Sequence, residues 1–343
     1  MSTFLDIHKN LYFHRFDICI KAEKETFFNF WPGSIIRNNF LSAASSVKIN
    51  LHNSDLHLRE LINQIPLSAS HPLYKEMVDG FPKGYYFACP QYSFDTIDSS
   101  VLKKGDTITF SLYLVGHFSK YYMYFFEAIR IMCKNGLGHP KSPFILESIY
   151  ECSFDGELHL MVNDKSVMAG KLLFPVAFSD FLSIQIPSNK TKLCIDFLTP
   201  VNLFRKKEKK EKQLSYQDKC NGFPSLYQLV RSVAYRMAKM SILYVYPDKP
   251  DIGTTIMDSI EEYIEHATKQ TLISVDMQYI NLRNTPKKET ENKMPLQGYV
   301  GRQVYDGSFD RYFPMLKYME EMGVGHEVVY GLGRYRVEVG SKK

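Results

Sequence analysis

The chain has 343 residues, 45% of them hydrophobic and 23% charged, with 24 Phe and 23 Tyr. That composition supports a buried core and excludes disordered, collagen-like and coiled-coil chains. Lys and Arg number 42 against 37 Asp and Glu, a formal net charge of +5, and residues 205–212, RKKEKKEK, carry most of that excess.

A clustered basic run on a nearly neutral body suits a local contact with a polyanion, or is a solvated surface loop. No stretch reaches the roughly 18 uncharged apolar residues of a membrane-spanning helix. The start, MSTFLDIHKN, lacks the basic-then-apolar pattern of a leader. A cytoplasmic protein with no membrane partner is therefore expected. Cys19, Cys89, Cys133, Cys152, Cys194 and Cys220 are widely spaced without a CxxC pair, and read as reduced packing residues rather than a zinc site or a disulfide framework.

In chain order, LYFHRFDICI (11–20) reads as an opening strand, and GSIIRNNFLSAASS as a helix from Gly33 with Ser34 as its cap. GYYFACP and DTITFSLYLV (106–115) read as strands. A helix follows, with Tyr122, Phe125, Phe126, Ile129 and Cys133 on its buried face, and then the strand SPFILESIYEC. TKLCIDFL (191–198) opens a second set. It continues with a helix capped by Ser225, the strands TLISVDMQYI and MPLQGYV, a helix starting near Asp310 with Pro314 in its first turn, and the strand EVVYGLGRYRVEV. In the last helix Phe309, Tyr312, Phe313 and Leu316 form the apolar stripe.

The two sets are one pattern repeated. Segment 115–139 and segment 300–326 each run from a VG pair to a GxGH tetrad. Gly116 and Gly301 lie 185 positions apart, Gly136 and Gly323 187 apart. Each half reads β-α-β-β-α-β, so the fold class is α+β with two tandem ferredoxin-like domains. The expected boundaries are 1–152 with an inserted segment 47–83, a connecting region 153–190, and 191–343 with the basic loop 205–212 and the glycine-rich segment 323–333. Small helices and a hairpin are expected in 47–83 and 153–190.

No GxxxxGK[ST], HExxH, GxSxG or complete GxGxxG motif is present, and no metal constellation shows. Gly323, Gly325, Gly331 and Gly333, beside Arg334 and Arg336, either let a polyphosphate backbone approach main-chain N–H groups or cap a helix and bend a strand. His139 and His326 hold equivalent places in the two halves, a symmetry that reflects the fold or a shared role. Arg37 reaches a phosphate or pairs with an acid.

GSIIRNNF (33–40), GLGHPKSPF (136–144), LTPVNLF (198–204), and GYVGRQVYDG with GVGHEVVYGLGRY near the end together resemble the CRISPR-associated endoribonucleases that process precursor CRISPR RNA, the sixth Cas family of the RAMP superfamily. The resemblance covers essentially the whole chain. It implies a metal-independent nuclease without a cofactor that binds CRISPR repeat RNA and cuts the precursor within the repeat. The RNA 2′-hydroxyl attacks and leaves a 2′,3′-cyclic phosphate. Such a reaction needs a base, an acid and a cation at the phosphate.

The resemblance puts the catalytic histidine on or after the first helix, and 33–46 contains none. The candidates are His52, then His57, then His14, with Lys48 as the cation. RNA binding is expected from Arg37, from Arg205, Lys206, Lys207, Lys209 and Lys210, and from Gly323, Gly325, His326, Gly331, Gly333 and Arg334. A homodimer or CRISPR effector-complex subunits are the further partners. The competing reading is a non-catalytic RAMP subunit holding guide RNA. A tandem RNA-recognition module comes last, since no segment fits [KR]G[FY][GA]FVx[FY].

Overall fold

The computed structural model describes residues 3–28, 31–51, 54–78, 80–89, 101–163, 170–184, 186, 190–203, 222–265, 267, 270–281 and 296–341. The first half runs α1 (Thr3–His8), β1 (Tyr12–Ala22), β2 (Thr26–Phe27), α2 (Pro32–Ala44), β3 (Lys48–Leu51), β4 (Ser54–His57), α3 (Leu58–Asn63), α4 (Tyr74–Val78), β5 (Tyr85–Ala88), β6 (Val101–Leu102), β7 (Thr107–Val115), α5 (Tyr122–Asn135) and β8 (Phe144–Cys152). Then come β9 (Leu158–Asn163), β10 (Val176–Ala177) and α6 (Phe178–Leu182). The second half runs β11 (Lys190–Val201), α7 (Leu226–Tyr244), α8 (Pro250–Ile264), β12 (Thr271–Asn281), β13 (Gln297–Asp306), α9 (Phe313–Met322) and β14 (Tyr335–Ser341).

The first sheet has the order β5-β7-β1-β8-β9, with β10 also on β1, and the second has the order β12-β13-β11-β14. All these pairings are antiparallel. In both, the opening strand lies between the third and last strands of its set, which is the ferredoxin-like order. The inserted segment holds the β3–β4 hairpin, α3 and α4, and the connecting region holds β9, β10 and α6.

Alternation along β1 decides how the layers stack. Phe16, Ile18 and Ile20 point to α2 and α5, where Phe16 meets Phe126 edge-on at 5.1 Å. Phe13 points the other way, onto Tyr318 of α9 at 5.5 Å. Tyr113, on that same side, donates to Glu321 at 2.9 Å. Helices α7 and α9 thus lie between the two sheets. The first sheet is covered on both faces, which is why every residue of β5 is buried. The second sheet has one open face, and β12 is exposed or half-buried throughout.

Several boundaries differ from expectation. Helix α2 starts at Pro32 and its N-cap is Trp31; Ser34 Oγ donates to the Trp31 carbonyl at 2.7 Å from inside the first turn. Helix α9 starts at Phe313, three residues after Asp310. Ser225 does cap α7, accepting from the Gln228 N–H at 3.2 Å while Gln228 reaches back to the Ser225 N–H at 2.8 Å. The strand expected over EVVYGLGRYRVEV begins only at Tyr335, because Val328–Tyr330 forms a single 3₁₀ turn.

Helix α1 plugs the base of the second half. Phe4 stacks on Tyr263 at 4.5 Å, and His8 Nδ1 meets Ser241 Oγ at 2.7 Å, both residues fully buried. Burial holds the His8 imidazole down to about 3. The unfolded chain takes up this proton near pH 6.5 and the folded chain does not, so the stability held at neutral pH falls as pH drops from 6.5 towards 3, by up to about 1.4 kcal/mol per pH unit. Urea unfolding between pH 7 and pH 4.5 should therefore show a smaller loss of stability in His8→Gln than in the parent protein; equal losses would remove His8 as the cause.

Candidate nucleic-acid interface

The site is built along α2. Its apolar stripe, Ile36, Phe40, Ala43 and Ala44, is buried at helical spacing, which leaves Arg37 on the flank. Among the described residues Arg37 pairs with no acid: its guanidinium lies 4.3 Å from the Tyr330 ring centroid and Nη1 donates to the Tyr330 hydroxyl at 2.9 Å. Trp31 Nε1 donates to the Tyr330 carbonyl at 2.6 Å. A Cβ at Gly33 would overlap that same carbonyl, so glycine is required there.

Lys83 joins this cluster. Burial, and then the nearby Arg37 charge, push its ammonium below the usual lysine range. Burial pushes the Tyr85 hydroxyl up to about 12, opposed by Arg37. Among the described residues neither Arg37 nor Lys83 is in an ion pair, and Arg37 Nε is buried without a partner. Two adjacent cations without a carboxylate suit a phosphate. Sequence reasoning found Arg37 but missed Lys83, Tyr85, Trp31 and Tyr330, because Tyr330 reaches α2 from 293 positions away and no local pattern marks that pairing.

The β3–β4 hairpin follows the C-terminal end of α2. Its antiparallel register sets Lys48 directly opposite His57, so the two side chains share a face. Among the described residues, Lys48 makes one long, exposed ion pair, to Asp55 at 3.9 Å. His57 is half-buried at the N-cap of α3, with its main-chain N–H donating to Glu60 at 2.8 Å. Its Nδ1 is buried and has no hydrogen-bond partner among the described residues. His52 lies outside the described residues, as do Arg205, Lys206, Lys207, Lys209 and Lys210.

His14 is elsewhere. Its ring is buried on the helix-covered face of the first sheet, and Nδ1 meets Glu151 Oε1 at 2.7 Å. Glu151 also accepts from the Leu173 and Phe174 N–H groups at 2.8 and 3.0 Å. These hydrogen bonds, of which that to His14 is the largest, hold its carboxyl below the usual range against burial, the largest single influence, which raises it. A histidine sealed in this way has no path to RNA, which corrects its candidacy: it fastens segment 170–174 to β8.

The glycine turn is also used by the fold. The Gly331 N–H donates to Val328 O at 2.8 Å, the Gly333 N–H to Pro200 O at 3.0 Å and the His326 N–H to Asn202 O at 3.1 Å. These three N–H groups are committed to the main chain, which favours the second of the two readings of the glycines, capping a helix and bending the chain, over a phosphate cradle. Gly323 caps α9 with φ 66°. Gly325, Gly331 and Gly333 let backbone approach Asn202, Phe87 and Val324 respectively. Arg334 is half-buried in the seam between the halves, where its charge opposes the burial that raises Tyr86, Tyr113 and Cys89. His326 is exposed beside the turn, while His139 is tied to Phe27 by a β-bridge.

Residues 195–335 match the family model of the CRISPR-associated endoribonuclease Cas6, and residues 11–172 match a model described as an N-terminal domain. No curated protein matches the sequence. Among solved structures, a partial Cas6-RT-Cas1–Cas2 complex is similar over 97% of this chain at 13% identity with a TM-score of 0.56. This chain spans about half, 47%, of the length of that one. A Cas6 product complex is similar over 95% of this chain and 99% of its own, at 13% identity and a TM-score of 0.50. Thermus thermophilus Cas6 is similar over 96% and 99%, at 12% identity and a TM-score of 0.48.

The packing role of the turn is testable. At Gly333, φ is +72° and a Cβ would overlap the Val324 carbonyl. Gly333→Ala should lower the thermal midpoint by several degrees, since strain and overlap together cost about 2 kcal/mol or more; an unchanged midpoint would mean the turn is not held by this contact.

Proposed function

We propose that the chain, whose residues 195–335 match the model of the CRISPR-associated endoribonuclease Cas6, is a Cas6-type protein that binds the repeat of a precursor CRISPR RNA and cleaves it once, without a metal. The observation that carries this reading is the hairpin register that brings Lys48 and His57 onto one face just beyond the end of α2. Arg37 on that helix and Lys83 just before β5, neither in an ion pair among the described residues, are cations for the phosphate backbone. We read the chain as two RNA-facing halves joined through residues 153–190.

The chemistry is transesterification. A neutral imidazole takes the proton from the 2′-hydroxyl; the 2′-oxygen bonds to phosphorus as the P–O5′ bond breaks. The products are a 2′,3′-cyclic phosphate and a 5′-hydroxyl, the 5′-oxygen taking a proton from an acid. Lys48 stabilises charge growing on the nonbridging oxygens. His57 Nε2 is the base among the described residues, and His52, which falls between the two strands in sequence, is the first alternative. The loose pairing of Lys48 with Asp55 leaves its ammonium able to exchange that carboxylate for phosphate.

His52→Ala and His57→Ala, assayed side by side in single turnover, identify the base. The correct one loses about 10²-fold or more in rate with repeat affinity within a few-fold. Full activity in both would remove the hairpin from the mechanism, and a parent protein that binds tightly without cutting would favour the guide-holding RAMP subunit. A second expectation concerns the basic run. Changing Lys206, Lys207, Lys209 and Lys210 together to Ala should weaken RNA binding and flatten the slope of log affinity against log salt by up to about 3; an unaltered slope would leave the run uninvolved.

A further inference from the structure

The outward side of the second sheet follows from its register. Leu193, Ile195 and Phe197 of β11 are buried, as are Gln303 and Tyr305 of β13 and Tyr335 and Val337 of β14. Tyr335 donates to the Leu316 carbonyl of α9 at 2.7 Å, which marks that side as the one under the helices. The alternate residues of each strand therefore face outward. They form three rows across the strands, in the order β12, β13, β11, β14. The first row is Asp276, Arg302, Asp196 and Arg336; the second is Ser274, Val304, Cys194 and Glu338; the third is Thr271, Asp306, Lys192 and Gly340.

Seven of these twelve residues are charged, three positive and four negative. A polyanion meets more repulsion than attraction on such a face, so it is no platform for phosphates. Along the first row the signs alternate. Arg302 is held by Asp196, Nε to Oδ1 at 2.5 Å and Nη2 to Oδ2 at 2.9 Å. Asp276, Arg336, Asp306, Lys192 and Glu338 are exposed or half-buried, and among the described residues none of them is in an ion pair. The middle of the face, Val304 beside Cys194, is uncharged.

This pattern is its own complement. A second copy laid on the face about a two-fold axis parallel to the strands reverses the strand order and keeps each row opposite itself. Asp276 then stands over Arg336 of the other copy, Arg302 over Asp196, Val304 over Cys194 and Asp306 over Lys192. An axis across the strands would set Arg302 over Asp306 and Asp196 over Lys192, but would leave Asp276 and Arg336 over Thr271 and Gly340. The parallel axis gives six charges an opposite partner and the crosswise axis four, so the parallel one is favoured. Sheets stack face to face with their strands within about 30° of each other, which keeps the rows opposed at their centres. Four strands about 4.8 Å apart and six residues of about 3.3 Å cover roughly 400 Å² per copy, half of what a standard stable interface buries. Association through this face is therefore weak and concentration-dependent.

We infer that the open face of the second sheet is the contact between two copies of this chain, related by a two-fold axis parallel to its strands. Each Arg302–Asp196 pair joins its counterpart in a closed ring of four alternating charges, and the unpaired Asp276, Arg336, Asp306 and Lys192 gain their partners only from the other copy. The inference is independent of the proposed RNA chemistry.

The test is sedimentation of the full chain between about 1 and 100 µM, where a dimer should appear towards the upper end. Raising salt from about 0.05 to 0.5 M should weaken it by about 10-fold or more, because exposed charges are screened. Arg302→Glu sets two glutamates over Asp196 of the opposite copy, and Asp196→Lys sets two lysines over Arg302, so each variant alone should associate about 10-fold or more weakly than the parent. Mixed together, the two variants are complementary in every row, and the mixture should dimerise as the parent does. A parent that stays monomeric at the highest concentration overturns the inference. A dimer indifferent to salt, or to both substitutions, also overturns it, since that dimer would use another face. So does a mixture no more associated than its components. A monomeric parent whose RNA affinity falls in Arg302→Glu would make the face an RNA contact instead.

Discussion

The Tyr330 carbonyl is the point on which both halves depend. It accepts from Trp31 Nε1 at 2.6 Å and sits where any side chain at position 33 would stand. One close approach therefore fixes the start of α2 in the first half and the glycine turn of the second. With the turn in place, the Tyr330 ring lies against Arg37 and its hydroxyl accepts from it. An arginine near the helix start is thereby held extended along the surface, where solvent alone would leave it many rotamers. The glycines follow from the same demand, because a turn pressed against β5 and strand β11 has no room for Cβ atoms.

The layer order has a functional consequence. Because α7 and α9 fill the space between the sheets, the first sheet's faces are both closed and cannot serve as binding platforms. In the proposed function, binding falls to the α2 flank, where Arg37, Lys83, Lys48 and His57 supply charge and a proton-transfer group.

The elements that repeat were readable in the sequence. The sequences of strands β1, β7 and β11 alternate, helix α5 carries its aromatic stripe, and Ser225 with Gln228 spells out a capping box. Helix α8 was equally readable, with Pro250 in its first turn and Ile256, Ile260 and Ile264 at four-residue spacing, but the duplicated pattern has no place for it. His14 misled because strand position alone does not tell which face is covered. The glycines misled because phosphate approach and backbone approach both ask for the same residue. Lys83 and Tyr330 were illegible for a physical reason: their significance comes from a tertiary contact between distant segments, and neither carries a local signature. The register of Lys48 against His57 needed the hairpin itself.

In the proposed reaction the RNA supplies its own nucleophile. The decisive measurement incubates the protein, in chelator, with repeat RNA and with the same RNA carrying a single 2′-deoxynucleotide on the 5′ side of the scissile phosphate. The expected result is cleavage of the all-ribose strand and complete survival of the deoxy strand, with both bound equally well. Cleavage of both strands would contradict the 2′-hydroxyl mechanism, and tight binding with cleavage of neither would contradict the enzyme itself.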